Sequence, residues 1–391
     1  MGAVRERLLA QLVTWPKTLL GVGVVSRSTV EATVELANEH AVDLMLIPSR
    51  RQVDTDALGA GYVEGWTAAR FAEFVRARDR GNRVLLCRDH GGPWQNADEL
   101  ARGLGEADAM ASAMASYDED IEAGFSVLHI DTSVSPDGEP PAGVALDRLF
   151  TLYRHCTDTA RRLGRDVVFE VGTEEQDAVT HGLDELAETL GRIQRFCGEQ
   201  AIEPPLFVVA QTGTKVMETR NVGSFGSPYR IRGEMPSEIY VPQLVGRLKS
   251  FGVLLKQHNT DYLTGETLRW LPMYGVSAAN VAPEFGVTET RALLHVLEAN
   301  GLLNLRDRFL ELALASGKWR KWMLDDTGAS DRDRAVIAGH YVFSTPEFGI
   351  IRHDARARLA ARGVDLDAHL KSRVKDAIRR YLECFRLTGV P

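Results

Sequence analysis

The chain has 391 residues, of which 44% are hydrophobic and 26% charged, with a formal net charge of −8; this suits one large domain with an appendage, or two domains. Lys and Arg are scattered among Asp and Glu rather than gathered in runs, which argues against a nucleic-acid partner, and no stretch approaches the ~20 apolar residues of a membrane span. Cys87, Cys156, Cys197 and Cys384 stand far apart with no CxxC pair, which argues against a disulfide framework or thiolate zinc centre and fits a reducing cytoplasm.

In chain order, MGAVRERLLAQLVTWP reads as a short amphipathic helix without the apolar core and cleavage site of a secretory leader. TLLGVGVVS (18–26) is the first strand, and STVEATVELANEH follows as a helix with an N-cap-like Ser28. Strands VDLMLIPS (42–49) and RVLLCRD (83–89) come next, then the helical stretch NADELARGLGEADAMASAMASYDEDIEAG. SVLHIDTS (126–133) and DVVFEVGT (166–173) flank LDRLFTLYRHCTDTARRLG, and DELAETLGRIQRFCGEQ precedes LFVVAQTG (206–213). SEIYVPQLVGRLKSFG leads to GVLLKQHN (252–259) and VSAANVAP (276–283), after which ETRALLHVLEANGLLNLRDRFLELALASG is helical. Near-continuous apolar runs mark strands buried on both faces, and apolar residues three to four apart mark the helices.

Eight β-then-α units predict an α/β protein with a (β/α)8 TIM barrel rather than an open doubly wound sheet. No dinucleotide fingerprint follows strand one, since the glycines of GVGVVS lie inside it. Beyond residue 316, KWRKWMLDD, DRDRAVIAGHYVF and DLDAHLKSRVKDAIRRYLECFRL read as helices, with an extended piece near FGIIRHD. The expectation is a barrel over residues 1–315 and a helical extension, 316–391, packed on it.

Chemistry in a barrel sits at the C-terminal ends of the strands. There the sequence places Arg88-Asp89-His90, then His129, Asp131 and Ser133, then Glu170, Glu174 and Glu175. Gln211 and Thr212 follow, then Lys256, His258, Asn259 and Asp261, then Asn280 and Glu284. Buried polar groups need partners, so so many strand ends imply mutual pairing, a metal or a polar ligand. His90 and His258, with Glu174 and Gln211 as oxygen donors, suit a catalytic divalent ion: zinc first, with manganese, cobalt or nickel as alternatives. Hydrogen-bonded structural histidines are the competing reading.

Asp89 is then the natural proton carrier. Lys256 is either a Schiff-base former or a salt-bridge partner of Glu170. Ser49, Arg50 and Arg51, with Arg220 and Arg230 in the glycine-rich loop after strand six, are candidates for clasping a phosphate or polyol; an ordinary exposed loop is the alternative. Ser133, Lys256 and Asp261 complete the candidate substrate contacts. His40, His295 and His369 read as surface or packing residues. For His340 a structural role competes with one at the barrel mouth.

CRDHGGPWQNAD, AGFSVLHIDTSVSPDGEPP, FEVGTEE, VVAQTGTKV and KQHNTDYLT occur in that order. This series resembles the non-catalytic-subunit family of class II D-tagatose-bisphosphate aldolase, whose other members are sugar-phosphate 4-epimerases. The resemblance implies a metal-dependent barrel in which Asp89 matches the acid-base aspartate, and His90 and His258 match metal ligands. Glu174 and Gln211 fall at further active-site positions. It implies retro-aldol cleavage of a ketose phosphate between C3 and C4, rotation of the aldehyde and re-addition; proton abstraction by Glu174 and Asp131 is the competing route. An aldolase that releases its fragments, or an accessory subunit of a separate aldolase chain, are the alternatives. A homo-oligomer or that catalytic chain is the expected protein partner. The sequence departs from the family at Lys256-Gln257, where an acidic residue is usual, and at IPSR after strand two, where IEAT is usual.

Overall fold

The eight apolar runs pair in parallel around a closed ring, in a computed structural model that describes residues 2–13, 15–172, 182–227 and 235–388. In chain order the strands are β1 (Leu19–Val22), β2 (Leu44–Leu46), β3 (Val84–Gly91), β4 (Val127–Asp131), β5 (Val168–Gly172) and β6 (Phe207–Val209). A short antiparallel hairpin, β7 (Val216–Met217) and β8 (Arg220–Asn221), precedes β9 (Leu254–Gln257) and β10 (Ala278–Val281). The barrel closes where β1 pairs with β10, Gly21 facing Asn280. That pairing explains a glycine inside β1, because a Cβ at Gly21 would run into the Asn280 side chain. The TIM barrel is thus present as expected.

Helices α1 (Ala3–Val13), α2 (Arg27–His40), α3 (Ala68–Arg76), α4 (Ala97–Ala101), α5 (Glu106–Ala123), α6 (Ala142–Leu163) and α7 (Leu183–Glu199) surround the first strands. They are followed by α8 (Ser237–Ser250), α9 (Gly265–Tyr274), α10 (Pro283–Ala299), α11 (Leu303–Ala315), α12 (Asp331–Ala338), α13 (Pro346–Ala360) and α14 (Leu366–Cys384). The N-terminal helix closes the bottom of the barrel: Leu8 packs with the inward-facing Leu19, Met45, Leu85, Val127 and Phe207. The outward-facing strand residues, such as Leu86, Leu128 and Phe169, form the larger core beneath the helices. A second core joins α10 to α13 and the start of α14, whose far end returns to the main core through Val374, Ile378 and Tyr381. No helix among the described residues is long and apolar enough to cross a membrane.

Several local expectations change. The N-cap of α2 is Ser26, whose side chain accepts from the Thr29 amide, not Ser28. The long stretch from Asn96 breaks into α4 and α5 around Gly103 and Gly105, both poor helix interiors. Residues near FGIIRHD are helical, not extended, because Thr345 caps and Pro346 starts α13. KWRKWMLDD yields only a single 3-10 turn, Arg320–Trp322.

Candidate active site

Alternation along β3 sends Leu85 and Cys87 into the barrel and Leu86 and Arg88 out toward the helices. Arg88 therefore points away from the barrel interior. It is fully buried, and its guanidinium grips the Asp120 carboxylate of α5 at 2.7 and 2.6 Å while donating to the Pro48 and Val53 carbonyls. Burial pushes Asp120 up to about 6, and the Arg88 guanidinium opposes that rise, leaving the pair ionised at neutral pH.

Strict alternation would send His90 outward beside Arg88. Instead the β3–β4 register slips between Arg88 and Gly91, three residues spanning what two span on β4, and His90 takes φ of 45°. This bulge turns His90 back to the barrel mouth. Gly92, with φ of 141°, then passes so close to the Asp131 carbonyl that a Cβ would not fit.

Inward-facing residues on β4, β5, β9 and β10 meet these groups. The rings of His90, His129 and His258 lie 5.2 to 5.4 Å apart, centroid to centroid. His258 Nε2 is 2.8 Å from Glu170 Oε1 and 3.7 Å from Asp89 Oδ1, and His129 Nδ1 is 3.8 Å from both carboxylates. Ligands bound at ~2.0–2.1 Å around one ion stand roughly 3–3.5 Å apart. Two overlapping sets at this spacing, His90–His129–His258 and Asp89–His129–Glu170–His258, with His129, Glu170 and His258 buried and Asp89 and His90 half-buried, fit a divalent cation. Burial lowers the His258 pKa and favours the neutral ring a metal needs. His90 is held up at about 9, since Asp89 and Asp131 outweigh its burial, so a cation entering here displaces a proton.

The surroundings are fixed by hydrogen bonds. Asp131 is saturated: His90 Nδ1 lies 2.6 Å from one oxygen, which also accepts from Gln95, while Ser133 donates twice to the other. Glu170 pairs with the Lys256 ammonium inside the barrel; it is pulled to about 2 because Lys256 and the imidazoles outweigh burial. Glu170 in turn raises the Lys256 pKa against burial. A permanently charged ammonium is no nucleophile, so the geometry favours the salt-bridge reading of Lys256 over the Schiff base. Asp89 is 13% exposed and carries an anionic carboxyl, held below its usual range because His90, His258 and His129 outweigh burial. It accepts from Asn280 at 3.0 Å.

A cleft of about 1040 Å³ opens over this cluster, near the upper end for small-molecule sites. Ser49, Arg51, Ser133 and Asp261 line it, as does His340, which the C-terminal helices bring over the mouth. His340 is buried against Tyr341, and burial presses its pKa down to about 3. Gln211 is buried at the end of β6 but lines a smaller cleft with Val171, Leu190 and Tyr240. Arg220 is exposed on β8 beside Glu218. Arg50 lies in a buried network with Asp54 and Glu99 that anchors the turn after β3 through the Gly92 carbonyl. Glu174 and Arg230 lie outside the described residues.

His129 joins the donor set although the sequence marks it only as a polar strand residue, and Glu170 joins it although the sequence offers it only as the salt-bridge partner of Lys256. The available signal was parity: His129 shares a face with Asp131, and Glu170 is opposite His129 in register.

Asp261 accepts from the Ala282 and Glu284 amides at the start of α10. Burial, then Glu284, raises its pKa to about 7. With the folded value above the unfolded ~3.9, the folded state binds this proton more tightly. The stabilisation is full below about pH 4 and is lost as pH rises through 7. Asp261→Asn is therefore expected to flatten the decline of unfolding free energy between pH 5 and 8 by a few kcal/mol. Urea melts at both pH values measure it, and equal slopes in the two proteins would contradict it.

Residues 10–190 match the family model described as D-tagatose-1,6-bisphosphate aldolase subunit GatZ/KbaZ-like. The match bears out the resemblance carried by the first three motifs; the last two lie beyond it. A probable tagatose 6 phosphate kinase from Sinorhizobium meliloti 1021 superposes with a TM-score of 0.73 at 20% identity, covering 94% of this chain and 100% of its own. Fructuronate-tagaturonate epimerase UxaE from Cohnella laeviribosi gives 0.55 at 14% identity, over 98% of this chain and 86% of its own. Fructose-bisphosphate aldolase from Campylobacter jejuni gives 0.51 at 14% identity, over 97% and 93%. At these identities the likeness is one of fold.

Proposed function

We propose, for a chain whose residues 10–190 match the GatZ/KbaZ-like aldolase-subunit family, that the protein is a divalent-metal-dependent epimerase of ketose phosphates acting at C4. The observation that carries this reading is the convergence of three imidazoles with Asp89 and Glu170 beneath an open cleft. His90, His129 and His258 would hold the ion, for which zinc is our assignment. When bound it supplies Lewis acidity toward the carbonyl and hydroxyl oxygens of a sugar.

Asp89 takes the proton of the C4 hydroxyl as the C3–C4 bond breaks and C4 becomes an aldehyde. After the aldehyde rotates and C3 re-adds to its other face, Asp89 returns the proton to the new C4 oxygen. Asp131 orients the His90 ring, and its filled hydrogen-bonding capacity argues against the route in which it abstracts a proton. Lys256 keeps Glu170 ionised within the donor set. Ser49, Arg51 and Asp261 face the substrate. Cytoplasmic action on a soluble sugar phosphate accords with the absence of a membrane-spanning helix among the described residues.

The family description itself favours a second reading, an aldolase or an accessory subunit of one. Protein purified without chelator is expected to carry about one divalent ion per chain by elemental analysis, and to invert C4 of a ketose phosphate in an NMR-read panel. Full turnover by metal-free protein would refute metal dependence. Free triose in a coupled assay would indicate the aldolase, and inactivity of metal-loaded protein on every sugar the accessory subunit.

A further inference from the structure

Part of the cleft's wall comes from the C-terminal extension. Gly317, Lys318, Arg320, Lys321 and Trp322 form part of its lining, and Arg51 comes across from the loop after β2. The two segments are fastened together: the Tyr62 and Tyr341 rings lie 5.2 Å apart, and the Glu64 amide donates to Ser344 Oγ at 2.9 Å. Trp322 Nε1 donates to the Tyr341 hydroxyl at 3.3 Å, and the Lys321 ammonium sits 4.5 Å above the Trp322 ring.

This wall gathers four cations. Arg51 uses one N–H on the Gln95 carbonyl, at 3.2 Å, and Lys321 lies over its two aromatic rings. Among the described residues no carboxylate pairs with Arg51, Lys318, Arg320 or Lys321. These side chains are exposed, and each contributes to the cleft's lining. The crowding is felt at Lys321: burial first, then Arg51 and Lys318, brings its pKa down to about 8. Like charges held together in a partly enclosed space are unfavourable unless an anion completes the arrangement.

We propose that Lys318, Arg320 and Lys321 of the C-terminal extension, with Arg51, form an anion subsite that holds a phosphate monoester while the histidine cluster faces the other end of the same ligand. The subsite deepens the epimerase reading and rests on it for the identity of that ligand, a sugar bearing its phosphate away from the reacting carbons. The extension then supplies the part of the cleft that separates phosphorylated from neutral sugars. Arg and Lys suit the task, Arg by two parallel N–H donors and Lys as a mobile point charge.

Calorimetric titration of the full chain with inorganic phosphate tests this directly. We expect one phosphate per chain at this wall, bound at least ten-fold more weakly by the Lys318→Gln/Lys321→Gln double variant. Lys321→Arg retains binding, which separates loss of charge from a folding defect. Inorganic phosphate also binds metal ions, so the titration is repeated after chelation: binding at this wall survives. Phosphate binding that chelation abolishes, or that the double variant leaves unchanged, overturns the subsite. The kinetic counterpart is a rise in KM for a ketose phosphate with kcat retained at saturation. A protein inactive on every sugar that still loses phosphate affinity in the double variant refutes the epimerase and keeps the subsite. Turnover with unchanged phosphate affinity does the reverse.

Discussion

Asp89→Asn is expected to lower kcat on the ketose phosphate by about 10²–10⁴-fold, the range for losing a positioned proton carrier, with the metal content unchanged. Asparagine keeps the shape and the contact with Asn280 but cannot hold a transferred proton. The three imidazoles still provide enough ligands for one ion. Steady-state kinetics alongside elemental analysis give the result. A near-normal rate would remove Asp89 from the mechanism, whereas loss of the metal would make it a ligand instead.

The second large effect lies on the other face of the same strand. Arg88→Met is expected to cost about 3–5 kcal/mol of stability, because it leaves the Asp120 carboxylate buried without its counter-charge. The Pro48 and Val53 carbonyls lose their donor as well. The double variant Arg88→Met/Asp120→Leu removes both charges and is expected to recover most of the loss, since buried pairs replaced by apolar side chains are often neutral. Urea denaturation of the two variants decides the matter: equal destabilisation would mean that the packing of Arg88, rather than its charge, holds β3 to α5.

These two residues show how far the sequence could be read. Val84 to Cys87 identify a buried strand, and every barrel strand was visible as such a run, because burial on both faces forces continuous apolar character. The helices α3 and α9 went unnamed; α9 carries Pro272 within its last turn, which weakens the sequence signal. At the site, Asp89, His90 and His258 were recognisable as polar residues at strand ends. His129 had no assigned role and Glu170 only that of a partner for Lys256, because parity says which way a side chain points and not which other side chains it meets. Gln211 had the right strand and the right end, yet it lies buried beside α7 and α8.

The sequence by itself determined the period of the strands and helices, and hence the barrel, because solvent exclusion acts on each element through its own pattern of apolar residues. It determined too that acids and imidazoles crowd one end of that barrel. Tertiary structure alone decided the rest. The slip of register at Arg88–Gly91 brings His90 inward against its parity. Of the two roles the sequence left open for Lys256, the fold selects the ion pair with Glu170 across β5 and β9, and residues more than 260 positions apart, Arg51 and Lys321, come to share one cleft. Bulges, buried ion pairs and walls built from distant segments depend on closure of the ring and docking of α10–α14, and no local pattern encodes such distances.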